Sequence, residues 1–408
     1  MRGIFGRFSL LFAADIASRA LRFFADVVLV RHFGQATFGQ LNLAQSLAIQ
    51  GIGLAGAGVD TVGMRSVAAG TIPVPATAAT VVLLRLALGL IAWTLVAGLA
   101  IVVPRYRDSF EMAALYGLSI FTGALTLGWI AQGRGRVHVV GLAMLATHLG
   151  YFGGVQIAVF FDWPPISVPI LLIIAELLAA GGVWAWVVYT IGPVTRLLSR
   201  AETLRLLRDS LPIGGANFLR GMIAGSDVLL LGLFVDKAEV GLYSGAFKLY
   251  SLGASLLALY FTVLLPDLAN RATASRAALT SGMFKALRSS FVAALPVAAA
   301  GMLLAGAALR MLFGPQFDEA SPALRILIVA LGATLVSGHF RTMLVAVGRQ
   351  RQDLAIVAGG AIVHAGMKLL LIPTIGMSGA AWGTLAGEIA VLGLSWKAAR
   401  SALRAGSP

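Results

Sequence analysis

The sequence contains no cysteine and carries little charge. Its 408 residues include 31 Lys or Arg and 17 Asp or Glu, so that only 12% are charged, against roughly 25% in an average soluble protein. The absence of Cys excludes disulfides, thiolate catalysis and cysteine-based metal sites. Hydrophobic residues make up 59% of the chain, and the mean hydropathy is +0.90. A soluble protein of this size needs more charge to cover its surface, so the composition indicates a polytopic membrane protein.

Signals of catalysis are equally scarce. The five His residues show no metal-ligand spacing, and the sequence has no Walker A motif for holding a nucleotide. The short connections between apolar stretches leave no room for a catalytic domain. We therefore expect a protein that is not an enzyme and has no cofactor or metal. Its energy source would be an ion gradient or the membrane potential.

Apolar stretches of about 20 residues, long enough to cross a bilayer, recur along the whole chain. Lipid offers unpaired backbone groups no partner, so these stretches are predicted to be helices. The expected fold is an all-α polytopic membrane protein with about twelve transmembrane helices. The predicted spans are 8–30, 38–60, 78–102, 112–131, 137–160, 166–189, 210–234, 241–266, 289–312, 320–346, 353–373 and 377–397.

The distribution of Lys and Arg predicts the orientation of these spans. If the N-terminus is cytoplasmic, the inner segments hold about eighteen Lys or Arg and the outer segments about five, as the positive-inside rule requires. Both termini are therefore predicted to be cytoplasmic. The inner cations are scattered over several segments instead of forming one basic patch, which argues against a nucleic-acid partner.

The two halves of the chain resemble each other. Residues 25–30 (ADVVLV) match residues 226–231 (SDVLLL), and the same offset places Arg19 on Arg220. We infer a duplication with an N-terminal lobe at 1–200 and a C-terminal lobe at 201–408. Six spans separate the copies, so the lobes are parallel repeats of six helices, a plan that places a central cavity between the halves.

One side of the first span carries a stripe of charge. Asp15, Arg19, Arg22 and Asp26 are spaced by four, three and four residues, which places them on one helical face. The stripe either lines a cavity or consists of two i,i+4 ion pairs that neutralise each other. In span 7, Arg220 and Asp227 repeat the pattern without an i,i+4 partner for the Arg.

Further ionisable residues fall inside predicted spans, where they usually face the interior of the bundle or water. A net-cationic interior favours an anionic ligand, because Arg binds phosphate through paired hydrogen bonds and keeps its proton. Arg85 and Arg325 lie nearer span ends, where they are interpreted as snorkelling toward the interface. The interior candidates are Lys248, Arg341, Lys368, Glu176 and Glu388, and the Gly379, Gly383 and Gly387 stripe of span 12 predicts either close helix packing or a hinge.

Four stretches carry a resemblance to a known family: residues 30–41 (VRHFGQATFGQL), 227–246 (beginning DVLLL and ending EVGLYSGA), 313–317 (FGPQF) and 372–381 (IPTIGMSGAA). In this order they resemble bacterial polysaccharide biosynthesis flippases of the O-antigen or exopolysaccharide type. The same superfamily includes multidrug extruders and the lipid II flippase. At 408 residues the chain is short for the family, and no extra helices like those of the lipid II flippase are evident.

The resemblance implies transport of an undecaprenyl-(pyro)phosphate-linked oligosaccharide from the inner to the outer leaflet of a bacterial cytoplasmic membrane by alternating access. It implies glycan polymerase or glycosyltransferase partners. Arg19, Arg22 and Arg220, with Lys248, Arg341 and Lys368, would attract the phosphate. Asp15, Asp26, Asp227 and Glu388 would orient the Arg side chains or exchange a coupling ion. On this hypothesis Arg19→Ala or Arg220→Ala blocks glycan export without preventing insertion.

Two alternatives compete with this hypothesis. A multidrug or small-solute antiporter of the same superfamily would have the same architecture, but a cation-extruding pump needs a net-acidic cavity. A membrane-embedded glycan enzyme or a non-transporting scaffold would need a catalytic cluster or a sizeable loop, and the sequence shows neither.

Overall fold

The computed structural model describes residues 2–70, 73–194 and 196–404, with side chains described for 11–70, 73–194, 196–215, 218 and 225–403. All regular structure in these ranges is helical. The α-helices are α1 Arg2–Gly56, α2 Val59–Ala69, α3 Val74–Val102, α4 Phe110–Gly117, α5 Ser119–Leu125, α6 Gly128–Gly133, α7 Val137–Phe160, α8 Ser167–Ile191, α9 Arg200–Phe234, α10 Lys237–Ala274, α11 Arg276–Phe313, α12 Ser321–Ala346 and α13 Gln350–Arg404. Two 3₁₀ helices, Pro104–Ser109 and Pro315–Ala320, precede α4 and α12.

Two of the helices are each too long for one crossing. At 1.5 Å per residue, a helix of 55 residues would extend about 80 Å, against about 30 Å for the hydrocarbon core of a bilayer. Helix α1 breaks at Gly34, with φ 79° and ψ 175°, and α13 breaks at Ile375 and Gly376, with φ 55° at the glycine. Positive φ is readily adopted only by glycine, which explains the residue type at both breaks. Each helix therefore contains two of the predicted spans.

The described helices account for about twelve crossings. Eight are long and apolar enough to cross a membrane by themselves, and the bent pair Leu11–Gly56 with Val59–Ala69 is a ninth. Counting both segments of α1 and of α13, and the shorter apolar segment Gly225–Phe234 of α9, gives the predicted number.

The break in α13 creates a helical hairpin. A Cβ atom added to Gly379 would lie 2.5 Å from the carbonyl of Leu371, and one added to Gly387 would lie 2.8 Å from the Cβ of His364. Gly383 lies against Lys368 in the same way. In these contacting pairs the residue number rises along one segment as it falls along the other, so the two segments run antiparallel. The predicted glycine stripe is confirmed as a surface for close helix packing.

The fourth predicted span, 112–131, is not one continuous helix. It consists of α4, α5 and α6, with an extended residue at Thr126. Tryptophan side chains bond the carbonyls at the breaks: Trp93 Nε1 donates to Ala114 O at 2.9 Å, and Trp184 Nε1 donates to Leu125 O at 2.7 Å. Side chains that satisfy freed carbonyl groups stabilise breaks of this kind. The predicted span is present within the apolar segment Pro104–Gly133, but its helix is interrupted.

The structure supports the internal duplication. The 3₁₀ helices Pro104–Ser109 and Pro315–Ala320 occupy the same place in the order of elements, after the third helix of each half. Both begin with Pro and bury an aromatic residue two positions later, since Tyr106 is 3% exposed and Phe317 is fully buried. None of these residues belongs to the segments 25–30 and 226–231 from which the repeat was inferred, so they are independent evidence for the repeat.

The chain divides into two compact units, Met1–Gly232 and Leu233–Pro408. Helix α9 belongs to the first unit as far as Gly232, and the Tyr106 hydroxyl donates a 2.7 Å hydrogen bond to Leu229 O near the end of α9. The division of the repeat at 200/201 stays a prediction, because a boundary between copies and a boundary between compact units need not coincide.

Helix α9 begins with a capping box. Glu202 N donates to Ser199 Oγ at 3.3 Å, and the Ser199 amide and hydroxyl donate to Glu202 Oε2 at 2.9 and 2.6 Å. These bonds satisfy backbone donors that the first helical turn leaves open. They also favour the ionised carboxylate and lower the pKa of Glu202, which lies before the predicted span.

Candidate functional site

The predicted charged stripe of α1 consists of two unequal ion pairs. Arg19 Nε lies 2.8 Å from Asp15 Oδ2, and 54% of the Arg19 side chain is exposed. Arg22 Nε lies 4.0 Å from Asp26 Oδ2, and Asp26 is 6% exposed. The i,i+4 pairing expected from the spacing therefore forms. Only the Arg22–Asp26 pair lies in the interior of the first unit.

Arg22 contacts an aromatic ring as well as a carboxylate. Its guanidinium carbon lies 5.2 Å from the centre of the Tyr151 ring, within range of a cation–π interaction. Tyr116 lies beside Tyr151, and both rings are buried. At 4.0 Å the contact with Asp26 is longer than a hydrogen bond. The guanidinium is thus oriented by a ring and a charge without a direct hydrogen bond to Asp26.

A second carboxylate completes the polar cluster of the first unit, which consists of Arg22, Asp26, Tyr116, Tyr151 and Glu176. Glu176 on α8 accepts a hydrogen bond from the Thr122 hydroxyl on α5. Chemically, the cluster offers one cation for an anionic ligand and two carboxylates for exchanging a proton or a metal cation. The apolar sequence around Tyr116 and Tyr151 did not single them out. The one usable signal was that a buried tyrosine hydroxyl needs a partner.

The second unit places its predicted residues around α12 and the α13 hairpin. Arg341 forms two hydrogen bonds with Asp353, at 2.7 and 3.3 Å. Glu388 lies beside Thr334 and experiences the charges of Arg341 and His364. Lys368 is fully buried on the hairpin beside Gly383. Asp353 was not identified from sequence, because it lies at the start of a span and pairs across a loop.

The remaining predicted residues have separate positions. Lys248 is partly buried on α10, and Asp227 is 1% exposed on α9, comparable with the 6% of its repeat counterpart Asp26. The side chain of Arg220 lies outside the described residues. Arg325 is exposed, in agreement with snorkelling, and its Nε donates to Met302 O at 3.2 Å.

The interpretation of Arg85 as a snorkelling residue was wrong. Its side chain is 9% exposed, and its Nη1 donates to Asp60 Oδ1 at 2.9 Å. Asp60 lies in the first turn of α2, whereas Arg85 is on α3. Because the two residues belong to different helices, helical spacing could not predict their pairing. In the second unit, His339 is likewise fully buried, with Nε2 3.0 Å from the Tyr260 hydroxyl and 3.2 Å from the Ser290 hydroxyl.

Within the part of the chain that the structure describes, no three His, Asp or Glu residues are grouped as metal ligands. The positions of the polar clusters inside membrane-spanning helices are those expected for transport pathways, since such residues are costly in lipid.

Residues 7–270 match the family model described as polysaccharide biosynthesis protein. The chain belongs to this family. The match covers the whole first unit beyond residue 6 and extends into α10, as far as residue 270. A search of curated protein sequences finds no significant match.

Solved structures share the fold of this family member. The lipid II flippase MurJ, in an inward closed conformation, has a TM-score of 0.79 at 13% identity, covering 96% of this chain and 87% of that chain. An inward-facing multidrug resistance MATE family transporter of the MOP superfamily has a TM-score of 0.76 at 17% identity, covering 96% of each chain. A MOP superfamily transporter from Pyrococcus furiosus Vc1 has a TM-score of 0.65 at 16% identity, covering 98% and 96%. The predicted fold class and family are confirmed.

Proposed function

We propose that this polysaccharide biosynthesis protein is a flippase. It would move an undecaprenyl-(pyro)phosphate-linked oligosaccharide from the cytoplasmic to the outer leaflet by alternating access, for O-antigen or exopolysaccharide synthesis. Support comes from the family match and from the fold shared with a flippase for a lipid-linked substrate. The reaction moves charge and sugar hydroxyl groups across lipid, which is costly without a polar path.

The observation that carries the proposal is the state of Arg22. Its guanidinium is directed by Tyr151 and Asp26, but at 4.0 Å its Nε makes no hydrogen bond to the carboxylate. A phosphate oxygen can accept those N–H donors in a paired geometry. Arg19 and Arg341, by contrast, are hydrogen-bonded to Asp15 and Asp353. Arg22 is accordingly the first phosphate contact among the predicted cations.

The other predicted residues have supporting roles in this proposal. Arg19, Arg220, Lys248, Arg341 and Lys368 would raise the positive potential along the path. The acidic residues Asp15, Asp26, Asp227 and Glu388, with Glu176 added from the structure, would orient the cations or exchange a coupling ion. Coupling to the membrane potential would supply about 2.3 kcal/mol per charge per 100 mV.

The proposal includes a location and partners. The protein would be a multi-pass component of a bacterial inner membrane with both termini in the cytoplasm, where the excess of Lys and Arg places them. It would receive its substrate from glycosyltransferases and deliver it to a glycan polymerase. The division into lobes at 1–200 and 201–408 belongs to the same proposal.

Complementation tests the function directly. The gene is expressed in a bacterial strain that lacks its glycan flippase, and surface polysaccharide is measured together with the lipid-linked precursor in the inner leaflet. We expect surface polysaccharide to return and the precursor pool to fall. Export of a fluorescent cationic drug from the same cells, with no change in polysaccharide, would instead establish the multidrug or small-solute antiporter.

A further inference from the structure

A long apolar groove lies between α7 and α8 of the first unit, outside the polar cluster. Its volume is about 630 Å³. Small residues form much of its wall, and a histidine and a tryptophan lie at one end. The lining includes His138, Ala146 and Gly150 on α7, and Ala179, Gly182 and Trp186 on α8.

The groove is shaped by the way the two helices diverge. Near its closed end a Cβ added to Gly150 would meet the Ala175 Cβ at 3.5 Å, and one added to Gly154 would meet Leu171 at 3.0 Å. Toward the other end, Gly182 has no atom within 4 Å of such a Cβ. The helices thus touch along one part of their length and separate toward His138 and Trp186.

The length of the groove corresponds to one leaflet. From His138 to Gly150 the helix rises about 18 Å, against about 15 Å for half of the hydrocarbon core. In the orientation proposed above, the open end is the cytoplasmic one. The groove therefore extends from the cytoplasmic interface to about the middle of the membrane.

Two cations lie at the open end. Arg136 immediately precedes α7, and Arg134 is two residues earlier in the connection from α6. Both are exposed, and within the described ranges no ion pair involves either of them. An apolar groove that ends at two exposed guanidinium groups is complementary to a molecule with a hydrocarbon chain and a phosphate headgroup.

We propose that this groove binds the chain of a polyprenyl phosphate in the cytoplasmic leaflet, with the phosphate at Arg134 and Arg136. The inference rests on the proposed function, since it names the place where the lipid-linked substrate first docks. The groove lies between two helices, α7 and α8, and in this proposal one hydrocarbon chain occupies it. A glycerophospholipid would have to leave its second chain outside.

Photolabelling tests the groove without requiring transport. The purified protein is placed in phosphatidylcholine nanodiscs with a polyprenyl monophosphate that carries a diazirine in the isoprene units nearest the phosphate. After irradiation, the modified peptides are identified by mass spectrometry. We expect modification in residues 138–150 and 175–186, and competition by unlabelled polyprenyl phosphate.

Adjacent glycines provide a matched pair of variants. Gly181 and Gly182 are both exposed with open space at the Cβ position, but only Gly182 lines the groove. Gly182→Phe should reduce labelling by about tenfold, equivalent to 1.4 kcal/mol of binding free energy, whereas Gly181→Phe should not. R134Q with R136Q should also reduce labelling, while R276Q, at the exposed Arg that begins α11, serves as the charge control.

Three results would overturn the inference: labelling confined to other helices, labelling unchanged by Gly182→Phe, or equal competition by phosphatidylglycerol, which would make the groove a phospholipid site. Its failure is distinguishable from failure of the flippase function. Wild-type complementation without groove labelling rejects only the groove. Groove labelling without complementation leaves a lipid-phosphate site on a protein with another transport substrate.

Discussion

Arg22 Nε and Asp26 Oδ2 lie 4.0 Å apart, one turn from each other on α1, with the Arg22 guanidinium over the ring of Tyr151. One turn earlier, the corresponding pair of Arg19 and Asp15 has closed to 2.8 Å. The same i,i+4 spacing has thus produced a closed pair near solvent and a looser pair in the interior. This difference distinguishes two arginines that are each four residues from an aspartate in the sequence.

Replacing Arg22 should affect export more than replacing Arg19. A lost hydrogen bond to a charged group costs about 1.5–3 kcal/mol, or about tenfold to a hundredfold in phosphate affinity. We expect Arg22→Ala to reduce glycan export by about that factor and Arg22→Lys to retain part of it. Arg19→Ala, the matched control on the same face, should have the smaller effect. This differs from the prediction made from sequence, that Arg19→Ala blocks export, because Arg19 is hydrogen-bonded to Asp15 and largely exposed.

Export is measured as surface polysaccharide per unit of membrane-inserted protein, so that a folding defect is not read as a transport defect. Equal losses for Arg19→Ala and Arg22→Ala would show that the interior position of Arg22 is irrelevant to the phosphate.

Substitutions of Arg85 and Asp60 should have strongly coupled effects on the free energy of unfolding. Removing one partner of a buried ion pair costs about 3–5 kcal/mol, and the low end applies because the Asp60 side chain is 40% exposed. Arg85→Met should therefore destabilise the first unit by about 3 kcal/mol. The double variant with Asp60→Leu should recover much of this loss, because no unpaired charge then remains at this site.

A double-mutant cycle on the purified protein in detergent, followed by thermal or denaturant unfolding, gives this coupling energy. Additive effects of the two substitutions would mean that the charges do not interact.

Substitution by Ala should have opposite effects on stability at two glycines of the α13 hairpin, Gly379 and Gly366. A Cβ at Gly379 would lie 2.5 Å from the Leu371 carbonyl group, which is backbone and cannot rotate away. Overpacking of this kind costs about 1–3 kcal/mol, so Gly379→Ala should lower the unfolding temperature. Gly366 has open space at the Cβ position, and Gly366→Ala should be neutral or stabilising by up to about 1 kcal/mol through helix propensity.

Both glycine variants are compared with wild type by thermal unfolding in the same detergent. A neutral Gly379→Ala would show that the two segments of the hairpin are not in close contact.

The capping box at the start of α9 should depend on pH. Hydrogen bonds from Ser199 lower the pKa of Glu202 in the folded protein, below the value of about 4.3 in an unfolded peptide. Its stabilising contribution is therefore complete above the unfolded pKa, and it is lost as the pH falls through the folded pKa. Hydrogen exchange of the peptide covering Ser199 to Arg205 should show protection decreasing over that acidic range.

Glu202→Gln is the control for this titration, since Gln can form the same capping box without ionising. In this variant the hydrogen-exchange protection of the same peptide, corrected for intrinsic rates, should not change with pH. Identical pH profiles for wild type and Glu202→Gln would contradict the assignment.

Patterns along the chain predicted much of the architecture but not the breaks in its helices. Apolar stretches of bilayer length located the spans, because burial in lipid requires them to be continuous. The fracture of the fourth span into α4, α5 and α6 was missed, because it depends on indole groups of Trp93 and Trp184 from other helices. The hairpin of α13 was predicted as two spans, and its glycine stripe was correctly assigned to packing.

What the sequence determined by itself is the class of protein: a shortage of charge, about twelve apolar spans, a repeated Arg and Asp pattern and the landmarks of one family. Local spacing on a helix also predicted the pairing of Asp15 with Arg19. Tertiary structure decided which charges meet across helices, as in Arg85 with Asp60 and Arg341 with Asp353. It also placed Tyr151 beneath Arg22. The physical reason is that helical periodicity fixes neighbours within one helix, whereas contacts between helices depend on how their surfaces pack.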